Sequence, residues 1–504
     1  MRIRQGMYAQ SQPSESTTLR MATELAREKP PSAATRQPRH FLTLGAVLLV
    51  AGLFRIPFLG AFPDVQNDEG LWTNSTKNFL MFGDWFMDER AHLFLSPVFH
   101  FLSLPAFWLL GPGIESARVV SAVAGVASVG LIYLLALRLT GDRRLATLGA
   151  LLLAVDPWAV AHSRQALTES VLLFFILLSG VLIAGNRRHL WLAGAAFSLA
   201  ILTKLSAGAM GIALGGYLLL RSSDASGQPL RWPQRVADGA VFGVVALGLT
   251  GLGYWLVSFI DPERFIAVFQ RELGGEHLLG DDSTGSPRRL GLDPVLAGRN
   301  ALEVLRFNPF LIVLGAVGGA VAWALRTPGW LLLLLWAGVG LGFPLTQVYQ
   351  PLRYFFPAVP ALVLLVSGLV LALPKISSPK EARRLLVAVI CLIVGFNGAY
   401  IGMNVLANWG NRARIVEHWA VENTVSGANF LAATHFATNL PGRAYSHDVI
   451  ASTPEDLLAT IEERGIDYVV WSSDEWSEEL RAVLGSHYSL IQEWSFGGVF
   501  RTSH

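Results

Sequence analysis

Long apolar runs alternate with short polar turns over most of this chain. The runs fall at 41–60, 118–138, 145–161, 168–185, 190–203, 206–220, 238–259, 309–325, 329–346, 357–373 and 385–406. A bilayer core about 30 Å thick needs about 20 apolar residues per helix. The pattern therefore predicts a polytopic α-helical membrane protein with about 11 spans, several of them short. The stretch 190–220 also reads as one kinked helix plus a fragment.

Charge orients the runs. One set of alternate turns carries Arg138, Arg143 and Arg144; Arg187 and Arg188; Arg221, Arg231 and Arg235; Arg326; and Lys375, Lys380, Arg383 and Arg384. The other set of short turns carries single cations, Arg164, Lys204 and Arg353. Because cytoplasmic loops concentrate Lys and Arg, this asymmetry predicts an amino terminus inside and a carboxyl terminus outside. The segment 1–40 is polar, basic and disordered-looking, and the first apolar run reads as a retained helix rather than a signal peptide.

Three longer regions then face outward. In 61–117, Leu71 to Phe82 reads as a short helix closed by Gly83-Asp84. Leu93 to Leu110 is apolar and punctuated by Pro97 and Pro105; both pieces are expected in the interface, apolar side down. Trp72, Trp85 and Trp108 fit an interfacial belt. The region 260–308, with the turn-like Gly280 to Gly285, reads as a mobile lid. From 407 to 504 the periodicity changes. Thr453-Pro454-Glu455-Asp456 marks a helix start and Gly465 its stop. Asp467 to Trp471, Ser489 to Trp494 and Val499 to Thr502 read as strands. The expected domains are thus a basic cytoplasmic tail (1–40), a membrane domain (41–406) and a small extracytoplasmic α/β domain (407–504).

Composition agrees with this. Of 504 residues, 52% are hydrophobic and only 15% charged, against about 25% charged in an average soluble chain. The single cysteine, Cys391, excludes an intrachain disulfide and a cysteine metal site. There is no nucleotide-binding Gly-rich loop and no internal repeat, and no nucleic-acid partner is expected.

The charges that matter gather on one predicted face. Asp68-Glu69 follows the first span directly and reads either as a base for an acceptor hydroxyl or as acids at a helix start. Glu169 lies near the membrane edge, where a carboxylate needs a partner. Arg164 is the obvious candidate, giving a structural ion pair or part of a site. Lys204 either binds a phosphate or snorkels to a headgroup. Arg353 and Tyr354 offer a guanidinium fork for phosphate and an aromatic face for a sugar ring, or an interfacial anchor. Arg118 and Arg55 are ambiguous in the same way. His92 and His100 lack a metal-binding spacing; His92 and Trp72 stand beside Tyr354 as candidate substrate contacts. Asp68, Glu69, Arg164, Glu169, Lys204 and Arg353 all fall on the same membrane face, which suits a phosphorylated lipid next to a base.

The motifs Asn67-Asp68-Glu69-Gly70, Gly83-Asp84-Trp85, Ser96-Pro97, Arg118-Val119-Val120-Ser121-Ala122, Ser163 to Glu169, Leu202-Thr203-Lys204 and Arg353 to Pro357 share an order and spacing. Through them, roughly 45–375 resembles the GT-C glycosyltransferases of the protein O-mannosyltransferase and aminoarabinose transferase superfamily. The resemblance implies a GT-C-like fold and a hexosyl- or pentosyltransferase of the cytoplasmic (plasma) membrane. Its donor would be a polyprenyl-phosphate or dolichyl-phosphate sugar, transferred with inversion to a lipid, glycan or protein acceptor outside the cytoplasm. It implies Asp68 as base, Glu69 as an aid to acceptor or loop positioning, Glu169 as the second acid, and Arg118, Arg164, Lys204 and Arg353 around the donor phosphate. No cofactor is required; a divalent cation (Mg or Mn) held by Asp68 and Glu169 stays open. Aminoarabinose transferases place a Lys before the proline pair of the first loop. Here the stretch is Leu95-Ser96-Pro97, so Lys204 or Arg353 must cover that charge. The sugar-binding repeats of eukaryotic protein mannosyltransferases are absent. The rival readings are a flippase for the same lipids, which would more often show repeats and midplane polar groups, and a surface-glycan polymerase or ligase.

Overall fold

The computed structural model describes residues 37–85, 92–224, 227–273, 294–327, 329–346, 352–372, 379–403, 412–425, 427–446, 453–473 and 476–502. The amino-terminal tail (1–36), the Gly280 to Gly285 turn and Lys375 lie outside the described residues. The chain forms two compact units, 1–45 and 46–504, and every contact below is within the second.

Helix α1 (Gln37–Arg55) leads to α2 (Asn67–Phe82), α3 (His92–Leu95), α4 (Pro97–Leu110) and the long α5 (Ile114–Thr140). Then come α6 (Arg143–Ala154), α7 (Pro157–Ser163), α8 (Thr168–Ile183), α9 (Leu190–Thr203), α10 (Met210–Leu220) and α11 (Trp232–Ser258). They are followed by α12 (Pro262–Leu273), α13 (Pro294–Phe307), α14 (Pro309–Leu325), α15 (Trp330–Leu345), α16 (Val359–Ala372) and α17 (Pro379–Ile401). Local chemistry sets the boundaries. The Asp156 carboxylate accepts from the Ala159 amide at 2.9 Å with Pro157 at the first helical position. Asn308 caps α14 in the same way, accepting from the Leu311 amide at 3.1 Å, and its amide reaches back to Asp156 at 3.0 Å. Both are side-chain caps that satisfy orphan amides.

Each apolar run of the sequence carries helix, but length separates them. Among the described residues three helical stretches are long and apolar enough to cross a membrane: Ile114–Thr140, Trp232–Ser258 and Leu352–Ala372. The count reaches five if two bent pairs each make one span. This is an integral membrane protein, and the expected eleven spans are not matched one for one. Some runs form helices of only 10–17 residues, and two others break at polar groups. The run 145–161 bends by 57° between α6 and α7, at the Asp156 cap. The 190–220 stretch is two helices, close to the runs 190–203 and 206–220, and not one kinked helix plus a fragment: α9 stops at Thr203, Lys204 is extended (φ −161°, ψ 124°), and a 3-10 turn (Leu205–Ala209) leads into α10.

Packing follows the small residues. α8 lies against α5 and α9, α9 against α11, and α14 against α16. A Cβ added at Gly194 would stand 2.7 Å from the Phe242 carbonyl oxygen, so the α9–α11 approach requires glycine there.

Beyond α18 (Arg412–Asn423) the chain forms an α/β region: β1 (Asn429–Ala432), α19 (Thr434–Ala437), β2 (Arg443–Ser446), α20 (Pro454–Glu463), β3 (Tyr468–Ser472), α21 (Glu478–His487), β4 (Ser489–Trp494) and β5 (Gly497–Arg501). The sheet order is β2-β1-β3-β5-β4. β1 pairs parallel with β2 and β3, while β5 pairs antiparallel with β3 and β4. β3 is buried along its whole length, as its continuous apolar sequence requires. The Thr453 cap and the Gly465 stop (φ +56°) stand where the sequence placed them.

The first loop departs from expectation. α2 starts four residues before Leu71, and it is not laid apolar side down. Thr73, Asn74, Ser75, Thr76, Lys77 and Asn78 are all buried: Thr73, Asn74, Lys77 and Asn78 bond to the α/β region, and Thr76 meets His100 Nδ1 at 2.7 Å. Trp85 is also buried, stacked on Phe79 at 4.0 Å, and does not join a belt, whereas Trp108 is 74% exposed.

Candidate active site

Four separate elements bring charge to one place. Asp68 and Glu169 both occupy the first turn of a helix, α2 and α8, where the amide dipoles favour a carboxylate. Lys204 occupies the break between α9 and the following 3-10 turn, and Arg353 opens the 3-10 helix Leu352–Ala358 ahead of α16. Lys204 Nζ donates to Glu169 Oε1 at 2.6 Å. Arg353 Nη1 pairs with Asp68 Oδ2, and Arg353 Nε stands 3.5 Å from Glu169 Oε1. The Tyr354 ring lies under the Lys204 ammonium at 4.7 Å.

Exposure separates the members. Glu169 is 2% exposed, Lys204 15%, Arg353 20% and Asp68 32%. Glu169 is the buried anchor. The other three keep open edges, which a ligand could reach. Ser96 precedes Pro97 in the first loop, and its hydroxyl donates to the Thr203 carbonyl at 2.6 Å. It thereby fixes the helix end that presents Lys204 and supplies no charge of its own.

The other predicted residues lie elsewhere or point elsewhere. Glu69 is fully buried, and each carboxylate oxygen accepts two hydrogen bonds. Oε2 takes Arg118 Nε and the Ala166 amide, both at 2.7 Å; Oε1 takes Arg118 Nη2 at 2.7 Å and the Gln66 amide at 3.1 Å. Arg118 spends its remaining donors on the carbonyls of Leu59 (2.7 Å), Pro63 (2.8 Å) and Asp64 (3.5 Å). Arg164 does not pair with Glu169. It donates to the carbonyls of Phe54, Pro57, Phe58 and Phe62 and stacks over the Phe62 ring at 4.2 Å. Arg55 likewise donates to the carbonyls of Ala154 and Leu153. Arg118 spends every nitrogen on the protein, and Arg164 turns both terminal nitrogens to carbonyls while its buried Nε has no hydrogen-bond partner; both arginines brace the loop after α1, and this geometry lends no support to the phosphate role expected of them. His92 is buried edge-on to Trp72 at 4.8 Å.

Sequence reasoning passed over His162. Its ring packs on Phe356 at 4.9 Å, three residues along from Arg353. Its only sequence signal was its place seven residues before Glu169. Among the described residues no three His, Cys, Asp or Glu side chains converge as a metal site. Between Asp68 and Glu169 stands the Arg353 guanidinium, so this donor set does not fit a bridging cation.

The fold resembles two groups of solved structures. ArnT from Cupriavidus metallidurans bound to undecaprenyl phosphate matches with a TM-score of 0.64 at 16% identity, over 93% of this chain and 99% of that one. The archaeal oligosaccharyltransferase AglB from Archaeoglobus fulgidus, in complex with an inhibitory peptide and a dolichol-phosphate, matches at 0.52 and 14% identity, over 94% and 75%. The chain has the GT-C fold. Residues 96–246 match the family described as dolichyl-phosphate-mannose-protein mannosyltransferase, a segment that holds Glu169 and Lys204 but neither Asp68 nor Arg353. A protein of Aquifex aeolicus (strain VF5), described as uncharacterized, is 30% identical over 227 residues. That alignment spans 41% of this chain and 42% of that relative.

Proposed function

We propose that this GT-C chain is a glycosyltransferase. It takes a sugar from a polyprenyl-phosphate donor and passes it, with inversion, to an acceptor hydroxyl at the extracytoplasmic face of the membrane. One observation carries this reading: Asp68, Glu169, Lys204 and Arg353 converge from four elements, with the acid and both cations partly open. The likeness to structures that hold undecaprenyl phosphate and dolichol-phosphate supports the donor class.

The chemistry follows from charge. A polyprenyl-phosphate sugar is a phosphodiester with one negative charge, and the polyprenyl phosphate released is a monoester that gains negative charge as the bond breaks. Arg353 and Lys204 are placed to meet that charge where it grows, the largest common source of transition-state stabilisation. Asp68 removes the acceptor proton as the oxygen attacks the anomeric carbon, and the carbon–phosphate-oxygen bond breaks on the opposite side. Arg353 is paired with Asp68. A docking phosphate competes for that guanidinium, and its transfer to phosphate frees the Asp68 carboxylate to act as base. Glu169 holds Lys204 and does not itself react. Tyr354, under Lys204, gives a ring against which a sugar can stack.

The assay that tests this uses the full-length protein in vesicles, a panel of radiolabelled polyprenyl-phosphate sugars and total membrane extract. Label passing into a new product, with polyprenyl phosphate released in equal amount, supports transfer. Labelled lipid crossing the bilayer without product would replace this reading with transport. Within the transfer reading, Arg353→Ala and Lys204→Met are each expected to lower kcat by ~10²- to 10³-fold, the cost of removing one charge-stabilising donor. Each should also weaken product inhibition by polyprenyl phosphate. Unchanged inhibition in both variants would remove these residues from the phosphate site.

A further inference from the structure

The helix that carries Asp68 is held from the far side by the α/β region, through polar groups rather than apolar ones. Gly70, Thr73, Asn74, Lys77 and Asn78 recur at helical spacing and so share one face of α2. Lys77 Nζ donates to three backbone carbonyls, Ala437 at 2.9 Å, Leu440 at 3.2 Å and Gly442 at 3.1 Å. The amides of Asn74 and Asn78 both donate to the Ala444 carbonyl, at 2.9 and 3.0 Å. The hydroxyls of Thr73 and Thr438 meet at 2.6 Å. At Gly70, two residues from Asp68, a Cβ would stand 1.8 Å from the Thr434 carbonyl oxygen. Only glycine admits that approach.

This seam has a physical consequence. Apolar contacts tolerate sliding, whereas hydrogen bonds to fixed carbonyls are directional and weaken steeply when misaligned. Each residue of slip along a helix is about 1.5 Å of translation and about 100° of rotation. Burial pushes Lys77 down to about 7 from its ordinary 10.5. The acceptors come from the segment joining α19 to β2, the edge strand of the sheet.

We propose that Lys77 is a positioning residue: through it the α/β region fixes the register of α2 and so places Asp68 against Arg353 and the acceptor. The inference rests on the glycosyltransferase reading. It makes the α/β region part of the active-site scaffold and not an appended module.

The test uses the full-length protein with Cys391→Ser as background. Lys77→Met keeps the stem and removes the donors. It is expected to lower kcat by ~10²-fold, the order expected from a misplacement of about 1 Å. The donor KM should move less than about twofold, because Arg353 and Lys204 remain. Adding Thr73→Cys and Thr438→Cys, which replaces the hydroxyl contact with a disulfide across the same seam, should restore most of the lost kcat on oxidation and lose it again on reduction. Should Lys77→Met fold poorly, Asn78→Ala removes one of the two donors on Ala444 and is expected to show the same kcat-only loss, about tenfold smaller. Hydrogen exchange across 69–78 is read in parallel. Faster exchange in Lys77→Met, reversed by the disulfide, is expected whether or not a transfer assay works, so failure of the glycosyltransferase reading leaves the seam itself tested. Unchanged exchange overturns the seam. Faster exchange with unchanged kcat, or a kcat loss that the disulfide does not repair, overturns the positioning role.

Discussion

The Asp68→Asn protein is expected to fold normally, bind polyprenyl phosphate, and transfer sugar about 10³-fold more slowly than wild type, within the range of about 10²- to 10⁴-fold that a positioned base contributes. Asparagine keeps the shape of the side chain and its place in the first turn of α2, and loses only the capacity to take a proton. The ion pair it removes joins groups that are 32% and 20% exposed, and pairs open to solvent contribute little to stability. The loss should therefore appear in kcat and not in thermal stability. The donor KM should stay constant or fall. In wild type a phosphate must draw Arg353 away from Asp68; in the variant the guanidinium carries no competing carboxylate. A fall in kcat with unchanged or tighter ground-state binding is the signature of an interaction used only in the transition state. Asp68→Glu extends the carboxylate by one methylene and should retain partial turnover, because the base survives while its distance is wrong. Steady-state kinetics of the three proteins with one donor decide the matter, and full turnover by Asp68→Asn would remove Asp68 from the reaction.

Much of this arrangement was legible in the sequence. The apolar runs located helix along the chain, and the change of periodicity after 407 located the sheet's β3, β4 and β5. Of the six charged residues grouped on one face, Asp68, Glu169, Lys204 and Arg353 meet in space, with Tyr354 beside them, whereas Glu69 and Arg164 turn to other partners. Strands β1 and β2 were missed because each has only four residues, too short for alternation to register. The break at Lys204 shows in the sequence only as the gap between the runs 190–203 and 206–220, because Thr-Lys-Leu-Ser carries no proline or capping signal. The stop is enforced from outside, by the Ser96 hydroxyl on the Thr203 carbonyl.

The arginines show a different limit. Arg118, Arg164 and Lys204 look alike in sequence, each a lone cation beside an apolar run. What separates them is the irregular 56–64 segment after α1, which contains Pro57, Pro63 and Gly60. A chain without regular structure leaves carbonyls that need donors, and prolines cannot supply any. Arg118 and Arg164 are drawn inward to those carbonyls, while Lys204 has none to serve and faces Glu169. A proline-rich loop close to buried guanidinium groups is thus itself a signal for bracing arginines. It could have been read beside the charge pattern.

That bracing predicts the second large effect, at the residue adjacent to the base. Glu69→Gln should destabilise the fold by about 3–5 kcal/mol, the cost of leaving one member of a buried ion pair without its partner. The carboxylate is saturated by Arg118, the Ala166 amide and the Gln66 amide, and both side chains are fully buried. A neutral amide offers one acceptor oxygen in place of two and presents donors toward the guanidinium. The damage spreads in a defined direction: Ala166 lies three residues before Glu169, so loosening its amide releases the turn that aims Glu169 at Lys204. Loss of folded protein should therefore dominate, seen as a lower midpoint in thermal unfolding in detergent and a lower yield. Whatever folded Glu69→Gln remains should have a weakened hold on Lys204. Replacing the pair together, Glu69→Met with Arg118→Leu, should recover only part of the stability, because the carbonyls of Leu59 and Pro63 then lose the donors they have now. The double-mutant cycle measures the pair directly. A wild-type midpoint for Glu69→Gln would show that the pair does not hold the loop, and would return Glu69 to the list of groups free to touch substrate.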